Sequence, residues 1–584
     1  MSQLTQLKAA TSLSDVARLL EVKAGMLSFL LYKKPKASLY TKFEIPKNYG
    51  GTREIWAPDK DLKLVQHRLA DLLQNCVEEI NSARGHPESA KHHGISHGFR
   101  RKHTIMTNAR AHVTRRYVFN VDLHDFFGTI NFGRVRGFFL KDKNFALNEK
   151  VATVLAQVAC HENKLPQGSP CSPVISNLIG HMLDVLLVRL ATATGCSYTR
   201  YADDLTFSSN KRAFSSRIAK PDDADKDIWV PGQGLKRLVA KAGFSFNETK
   251  TRMQYRDSRQ EVTGLVVNRK VNVPASYRYT VRAMVDRALK TGAFQYVYMK
   301  VDATGKTTVA NAPGTNSQLI GMLSYIDQVD LFNKKLCEQN GIEPHQTPGR
   351  TNLFRSFLYF DAFYDISTPV IVCEGPTDNI YIRHAIKRLA ASYPMLASNT
   401  SPPKLTVRLF KYGERRTSEI TQLTGGVGGL CHLFKNYHAD FMKIKAPPPK
   451  HPVIVLIDND SGANDIYGAI SGITKKPRPL GRAPFIHVFG NLYVVPTPLG
   501  PRNKKTAIED FFDAATLAKP LGTKTFSRKK KIDETKEYGK SAFAREVVDK
   551  NANSVDFSRF SKILDRIAAV IADYSKFHPS VSSP

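Results

Sequence analysis

At 584 residues the chain is too long for one hydrophobic core, which sets the expectation at two to four domains. Hydrophobic residues at 42% and aromatics at 10% exclude a disordered chain. A formal charge of +33 points to a polyphosphate partner bound with strong salt dependence; a membrane is set aside because no apolar run approaches the roughly 20 residues needed to span one. The seven scattered cysteines contain no Cys-x-x-Cys pair, which argues against a disulfide framework or zinc site and for a reducing cytosol. The start, Met1-Ser-Gln-Leu-Thr-Gln, lacks the basic-then-apolar pattern of a signal peptide.

In chain order, residues 1–40 carry apolar side chains at helical spacing (Leu13, Val16, Leu19, Leu20, then Met26, Leu27, Phe29, Leu30) and predict one or two helices. A hairpin is expected over 43–58 with Gly50-Gly51 at its turn, then a helical pattern through Leu62, Val65, Leu69 and Leu72. The apolar run Val118, Phe119, Val121 ends in Asp122 and reads as a buried strand delivering an acid to its C-terminal edge. Gln167 and Gly168 sit in a turn before a helix that begins near Pro173. Tyr198-Thr-Arg-Tyr-Ala-Asp-Asp-Leu-Thr-Phe207 reads as a hairpin whose tip holds Asp203 and Asp204. Like charges side by side cost free energy unless a cation neutralises them, and hard oxygen ligands suit Mg²⁺. Two such strands in register would gather Asp122, Asp203 and Asp204 around two ions, the clamp for in-line phosphoryl transfer. The polar insert 210–234 reads as an exposed loop. From Pro274 to about Phe363 come helical patterns rich in Arg and Lys (Arg278, Arg282, Arg287, Lys290, Lys300).

These stretches, with Leu165-Pro-Gln-Gly-Ser-Pro-Cys-Ser-Pro173 between them, resemble motifs A, B and C of reverse transcriptases in type, order and spacing across roughly 90 residues. The resemblance implies Asp122 and Asp203 as metal ligands supported by Asp204. It implies Phe127 as the ring against the sugar 2′-carbon that excludes ribonucleotides, and Gln167 against the nascent pair. Arg53 would meet the incoming triphosphate through its planar fork, with Lys47 a weaker candidate. Lys250, in Gly243-Phe-Ser-Phe-Asn-Glu-Thr-Lys250, would act as general acid toward pyrophosphate. The segment 97–112 narrows the resemblance to retron reverse transcriptases: Asn108, Ala109 and His112 fit their Asn-Ala-x-x-His signature, and Val262, Thr263 and Gly264 fit their Val-Thr-Gly signature. Both signatures imply RNA contacts; for His112 a satisfied core histidine is the other reading.

At Thr368 the pattern changes to strands alternating with helices, which implies an α/β sheet with acids at the strand ends. Pro369-Val-Ile-Val-Cys-Glu374-Gly-Pro-Thr-Asp378 is an apolar strand ending in an acid, followed by a helix through Ile382, Ile386 and Leu389; Pro452-Val-Ile-Val-Leu-Ile-Asp458-Asn-Asp460-Ser-Gly462 is a second. The pair resembles the Toprim domain of topoisomerases, primases and related nucleases, although Gly462 falls one residue earlier than in the topoisomerase pattern and no tyrosine nucleophile is recognisable. The resemblance implies Glu374 as general acid/base, Asp458 and Asp460 holding one or two Mg²⁺ ions, and Glu509 as the extra acid of the nuclease branch. The basic run 528–531 reads as a phosphate contact or a solvated loop, and Gly425-Gly-Val-Gly-Gly429 as a phosphate cradle or a connector.

The expected fold class is multidomain, α+β and α/β: an N-terminal helical segment (1–40), fingers and palm of a right-hand polymerase (41–273), a thumb (274–365) and a Toprim-like domain with a basic C-terminal region (366–584). The implied function is RNA-directed DNA synthesis in the bacterial cytoplasm. A cognate structured non-coding RNA would be copied from dNTPs into branched, RNA-linked single-stranded DNA, primed from a guanosine 2′-hydroxyl. The Toprim part would be a nuclease effector in anti-phage defence, and a homo-oligomer with RNA and DNA is a compatible assembly. The alternative is a group II intron-like or other reverse transcriptase using a separate primer, with the Toprim part a metal-dependent nucleic-acid-binding module.

Overall fold

The computed structural model describes residues 2–46, 52–85, 94–301, 307–344, 347–413, 415–529 and 531–577. The chain forms two compact units: Met1–Arg278 with Val297–Asn311 and Gln328–His345, and Tyr279–Tyr296 with Ala312–Asp327 and Gln346–Pro584. The stretch 274–365, expected as a thumb, is divided between them.

In the first unit, strands β1 (Tyr40–Pro46) and β2 (Thr52–Pro58) pair antiparallel as the expected hairpin; Lys47 and the Gly50-Gly51 turn lie outside the described residues. The central sheet has four antiparallel strands, β3 (Tyr117–Leu123), β4 (Ser197–Tyr201), β5 (Asp204–Ser209) and β6 (Phe246–Tyr255), in the order β4-β5-β3-β6. Helices α1 (Lys60–Ala83), α2 (Ile105–Arg110) and α3 (Ser172–Thr194) belong to the same unit. Leu69 and Leu73 of α1, Leu183 and Leu187 of α3, and Phe119 and Phe207 of the sheet share one core. The N-terminal segment joins that core through Leu7, Val16, Leu20 and Leu27, in three short helices rather than one or two.

Two expectations need correcting. Helix α3 is long and apolar enough to cross a membrane, which the sequence reading had excluded for every segment. It is a core helix of this unit: Ile175, Ile179, Leu183 and Leu187 are fully buried, and a helix apolar on most sides is what a core requires. The insert 210–234 is not all loop. Ala219–Pro221 pairs with Trp229–Pro231 because Ile218 and Ala219 are buried and Trp229 packs edge-on against Phe214, with centroids 6.3 Å apart.

The second unit holds a five-stranded sheet of β7 (Val370–Cys373), β8 (Arg408–Leu409), β9 (Val453–Ile457), β10 (Ile486–Phe489) and β11 (Leu492–Pro496). The order is β8-β7-β9-β11-β10, parallel except for β10 at one edge. Strands β7, β9 and β11 are buried along their length, as continuous apolar runs in a parallel sheet require. Alternate residues serve opposite faces. Ile371, Ile454 and Val495 pack with helix α4 (Asp378–Arg388), while Val372, Val455 and Val494 pack with α5 (Gly426–Phe441) and α6 (Ala463–Thr474).

One buried ion pair fastens α3 to the sheet. Arg200 on β4 is 0% exposed, and its Nε and Nη2 donate to Asp184 of α3 at 2.8 Å each. Asp184→Ala leaves a guanidinium uncompensated in the core, and the expected loss is about 3–5 kcal/mol. Urea denaturation reads it as a lower midpoint at unchanged slope; a midpoint equal to wild type would contradict this account.

Candidate functional site

Strand register builds the first acidic cluster. Asp122 near the end of β3 lies directly opposite Asp204 at the start of β5. The β4–β5 hairpin closes through Ala202 and Asp203, with Ala202 in the left-handed region at φ +57°. On its other side β3 shifts register against β6 between Asn120 and Asp122, a bulge of the kind that re-aims a side chain. Backbone N–H of Leu123 donates to Asp203 O at 3.0 Å. The three carboxyls therefore meet at one end of the sheet, close enough for Asp122 to act on both Asp203 and Asp204.

Crowding raises the proton affinity of Asp203 and Asp204. Desolvation and then the Asp122 charge push Asp203 up to about 6, and desolvation with the Asp203 and Asp122 charges pushes Asp204 up to about 7. Asp204 is an exposed residue, so like-charge repulsion is the firmer of its causes. Asp122 is buried; its Oδ2 accepts from Lys250 Nζ at 2.5 Å. Asp122 Oδ1 has no hydrogen-bond partner among the described residues. The hydrogen bond to Asp122 raises the Lys250 pKa, so as placed this lysine holds its proton and steadies Asp122. Oxygen-only donors, mutual repulsion and a buried oxygen without a partner fit a hard cation such as Mg²⁺. Among the described residues, no group of three or more His, Cys, Asp or Glu side chains stands at metal-ligand spacing as placed.

The other expected residues of this unit scatter around the cluster. Phe127 is half-buried, with its ring edge-on to Phe126 at 5.7 Å and to Phe99 at 6.0 Å. The Gln167 carbonyl accepts from Trp56 N–H of β2 at 2.7 Å. A Cβ on Gly168, at φ +119°, would stand 2.6 Å from Trp56 O, so glycine is required where the hairpin docks beside Gln167. Arg53 is exposed on the same strand.

Of the signature residues expected to contact RNA, the fold encloses three. Asn108, His112 and Val262 are each 0% exposed and present no side chain to a ligand. His112 bonds Ser208 Oγ of β5 and Thr199 Oγ1 of β4, each at 2.7 Å, so the satisfied core histidine is the reading the geometry gives. Both atoms of the Asn108 amide lack a partner among the described residues. Thr263 and Gly264 form the turn of a small hairpin, with φ +48° and +77°, and Thr263 Oγ1 donates to Ile105 O of α2 at 3.3 Å. Of these, Gly264 is exposed and Thr263 half-buried.

The second unit builds its own acidic cluster at the carboxyl ends of β7 and β9. Parallel pairing of Cys373 with Leu456 brings Glu374 and Asp458 side by side, and Asp458 N–H donates to Glu374 Oε2 at 3.3 Å. Asp458 Oδ1 accepts from Ile508 N–H at 2.8 Å, which draws in the segment carrying Glu509, itself 0% exposed. Asp460 is exposed, and its Oδ1 accepts from Gly462 N–H at 2.7 Å. Two members went unread in the sequence. Asp378 is buried, accepts from Gly375 N–H at 2.8 Å and is pushed up to about 7, chiefly by desolvation. Lys540 Nζ lies 2.9 Å from Glu509 Oε1; desolvation opposes its charge, but Glu509 outweighs this and raises its pKa. Desolvation and then Asp378, Glu509 and Glu374 push Asp458 up to about 8. Asp378, the first residue of the helix that follows the Glu374 strand, stood within the motif that carries Glu374 and was a usable signal; nothing in the local sequence around Lys540 was. Arg528 of the basic run pairs with Asp510 at 2.6 Å.

Residues 45–279 match the family described as reverse transcriptase (RNA-dependent DNA polymerase). The retron Mx65 reverse transcriptase of Myxococcus xanthus is 32% identical over 297 residues, 47% of this chain and 63% of its own length. The retron Ec86 reverse transcriptase of Escherichia coli is 28% identical over 281 residues, 48% of this chain and 78% of its own. The chain thus spans about 63% of the length of the first of these relatives. Among solved structures, apo telomerase from Candida tropicalis truncated from its C-terminal domain aligns at 14% identity over 41% of this chain and 56% of that one. Its TM-score of 0.25 carries no argument.

The burial of His112 has a consequence in acid. Desolvation, then the charges of Arg115 and His97, push its pKa down to about 3, whereas an unfolded histidine titrates near ~6.5. The unfolded chain therefore binds the extra proton between those values. The contribution of His112 to stability is complete above pH ~6.5 and falls at up to about 1.4 kcal/mol per pH unit below it. His112→Gln removes that titration, and its unfolding free energy should fall less steeply than wild type between pH 6.5 and 5. Parallel pH profiles would refute the assignment.

Proposed function

We propose that the first unit is an RNA-directed DNA polymerase of the retron type. It copies a cognate structured RNA into RNA-linked single-stranded DNA, primed from a guanosine 2′-hydroxyl and built from dNTPs. The observation that carries the reading is the cross-strand register that sets Asp122 against Asp204 with Asp203 in the turn between strands. The match of residues 45–279 and the retron relatives support it, and the charge of +33 suits an RNA and a DNA strand.

In this reading Asp122, Asp203 and Asp204 hold Mg²⁺, which when bound activates a hydroxyl nucleophile and stabilises departing pyrophosphate. Lys250 pairs with Asp122 at 2.5 Å and is the group placed to give a proton to the leaving group. Phe127 walls the sugar, Arg53 takes the triphosphate, and Gln167, tied through its carbonyl to β2, lies against the nascent pair. For Asp203→Asn the expectation is a loss of primer extension of about 10²-fold or more, together with loss of RNA-linked DNA recovered from cells. Extension at wild-type rate would overturn the reading.

For the second unit we propose a Toprim-like, Mg²⁺-dependent nuclease serving anti-phage defence in the bacterial cytoplasm. Glu374, Asp378, Asp458 and Glu509 supply the acidic site, with Asp460 beside Glu374 and Lys540 as counter-charge. The raised pKa values of Asp458 and Asp378 support it, since perturbed acids at strand ends are where acid–base chemistry is found. Glu374→Gln should abolish Mg²⁺-dependent cleavage of DNA or RNA by the full chain and its protection of cells against phage. Protection kept by this variant would leave a metal-dependent binding module instead.

A further inference from the structure

The segment 94–99 packs against the acidic turn. His97 N–H donates to Arg200 O and Arg200 N–H to Ile95 O, each at 2.8 Å, so the segment pairs with the edge strand β4. Gly98 O accepts from Asn177 Nδ2 of α3 at 2.6 Å. A Cβ on Gly98 would stand 2.6 Å from Ala202 N and 3.1 Å from the Tyr201 carbonyl carbon, both backbone atoms that cannot swing aside. Backbone here touches backbone of the hairpin that carries Asp203.

The next residue is Phe99. It adopts φ +57°, a left-handed conformation that costs a bulky side chain free energy and marks a constraint worth explaining. It is 40% exposed, so core packing does not explain the strain. What its ring does touch is Phe127, edge-on at 6.0 Å and 63°, while buried Phe126 holds Phe127 from another side at 5.7 Å and 73°.

We propose that Phe99 is a positioning residue for sugar selection: locked to the acidic turn through Gly98, its ring braces Phe127 and fixes how far the wall against a 2′-hydroxyl stands from Asp203. The inference rests on the polymerase reading of the first unit. Removing the brace lets the Phe127 ring tilt away, and a ribonucleotide then fits with less clash. A wall held from one side only is a softer wall.

The test is single-nucleotide addition by the full chain on an RNA template with an annealed DNA primer, comparing kcat/KM for GTP and dGTP. Phe99→Ala should raise the GTP-to-dGTP ratio about threefold to tenfold, the change expected on losing one aromatic edge contact, chiefly through a lower KM for GTP. Phe99→Tyr, which keeps the ring, should hold the wild-type ratio. Phe127→Ala should raise the ratio at least as far, and adding Phe99→Ala to it should change nothing more, because Phe99 acts through Phe127. Phe99→Leu, which fills the space without a ring, serves if the alanine variant does not fold and should also raise the ratio. An unchanged ratio in Phe99→Ala or Phe99→Leu, or effects that add in the double variant, would overturn the assignment of Phe99 alone. A wild-type chain that adds neither nucleotide to the annealed primer nor to the RNA that copurifies with it would overturn the polymerase reading, and this inference with it.

Discussion

A guanidinium without solvent contact lies beneath the acidic turn, and the geometry of the first unit follows from it. Arg200 reaches Asp184 with two donors and gives Nη1 to Ala202 O at 3.1 Å and to Asn177 Oδ1 at 3.2 Å. Helix α3 makes room for it at Gly180, where a Cβ would stand 2.9 Å from the guanidinium carbon. Burying such a pair gives little net stability over an apolar isostere. What it gives here is position: one rigid, planar group ties the helix after Gln167 to the backbone of the hairpin that carries Asp203. Its charge also lies close enough to Asp203 to interact with it, so the cation that shapes the turn also favours the ionised acid.

The two acidic clusters solve one electrostatic problem in the same way. Carboxylates gathered at strand ends cannot all ionise in a poorly solvated site, so Asp203 and Asp204 in one cluster and Asp378 and Asp458 in the other are pushed up, and those values belong to the cluster rather than to single residues. Each cluster also has one lysine reaching it from elsewhere in the sequence, Lys250 on Asp122 and Lys540 on Glu509. One ammonium against three or four carboxyls leaves each site short of positive charge, which is the condition under which a divalent cation binds.

What the sequence disclosed was local. Asp122, Asp203 and Asp204 were readable because each ends or begins an apolar run, which marked them as strand-end acids, while the likeness to the reverse-transcriptase motifs suggested that the strands adjoin. Glu374 and Asp458 were readable for the same reason, on parallel strands whose apolar runs are continuous. Lys540 was not, because its meeting with Glu509 depends on a long, irregular return of the chain. The length and apolarity of helix α3 suit a core helix and a membrane helix alike, and its buried face with the Asp184–Arg200 pair marks it as core. The ribbon in the 210–234 insert was hidden by polar residues around two buried ones, Ile218 and Ala219. The division of 274–365 between units follows from long-range packing that no local pattern encodes.

The signature segments acquire a different meaning once placed. Residues 95–97 add to the outer edge of β4, His112 bonds a hydroxyl on each strand of the hairpin that bears Asp203, and Thr263 reaches back to α2. An open sheet edge beside a reactive turn would be free to shift register, and a one-residue slip turns every side chain to the opposite face. Buried His112 therefore acts on the scaffold, tying β4 to β5 in the register that sets Asp204 against Asp122. Any RNA contact these segments make must come from residues the fold leaves outside, such as Gly264 in its hairpin turn. A residue first read as an RNA contact, such as His112, can thus owe its place to the strand register of the acidic turn rather than to an RNA.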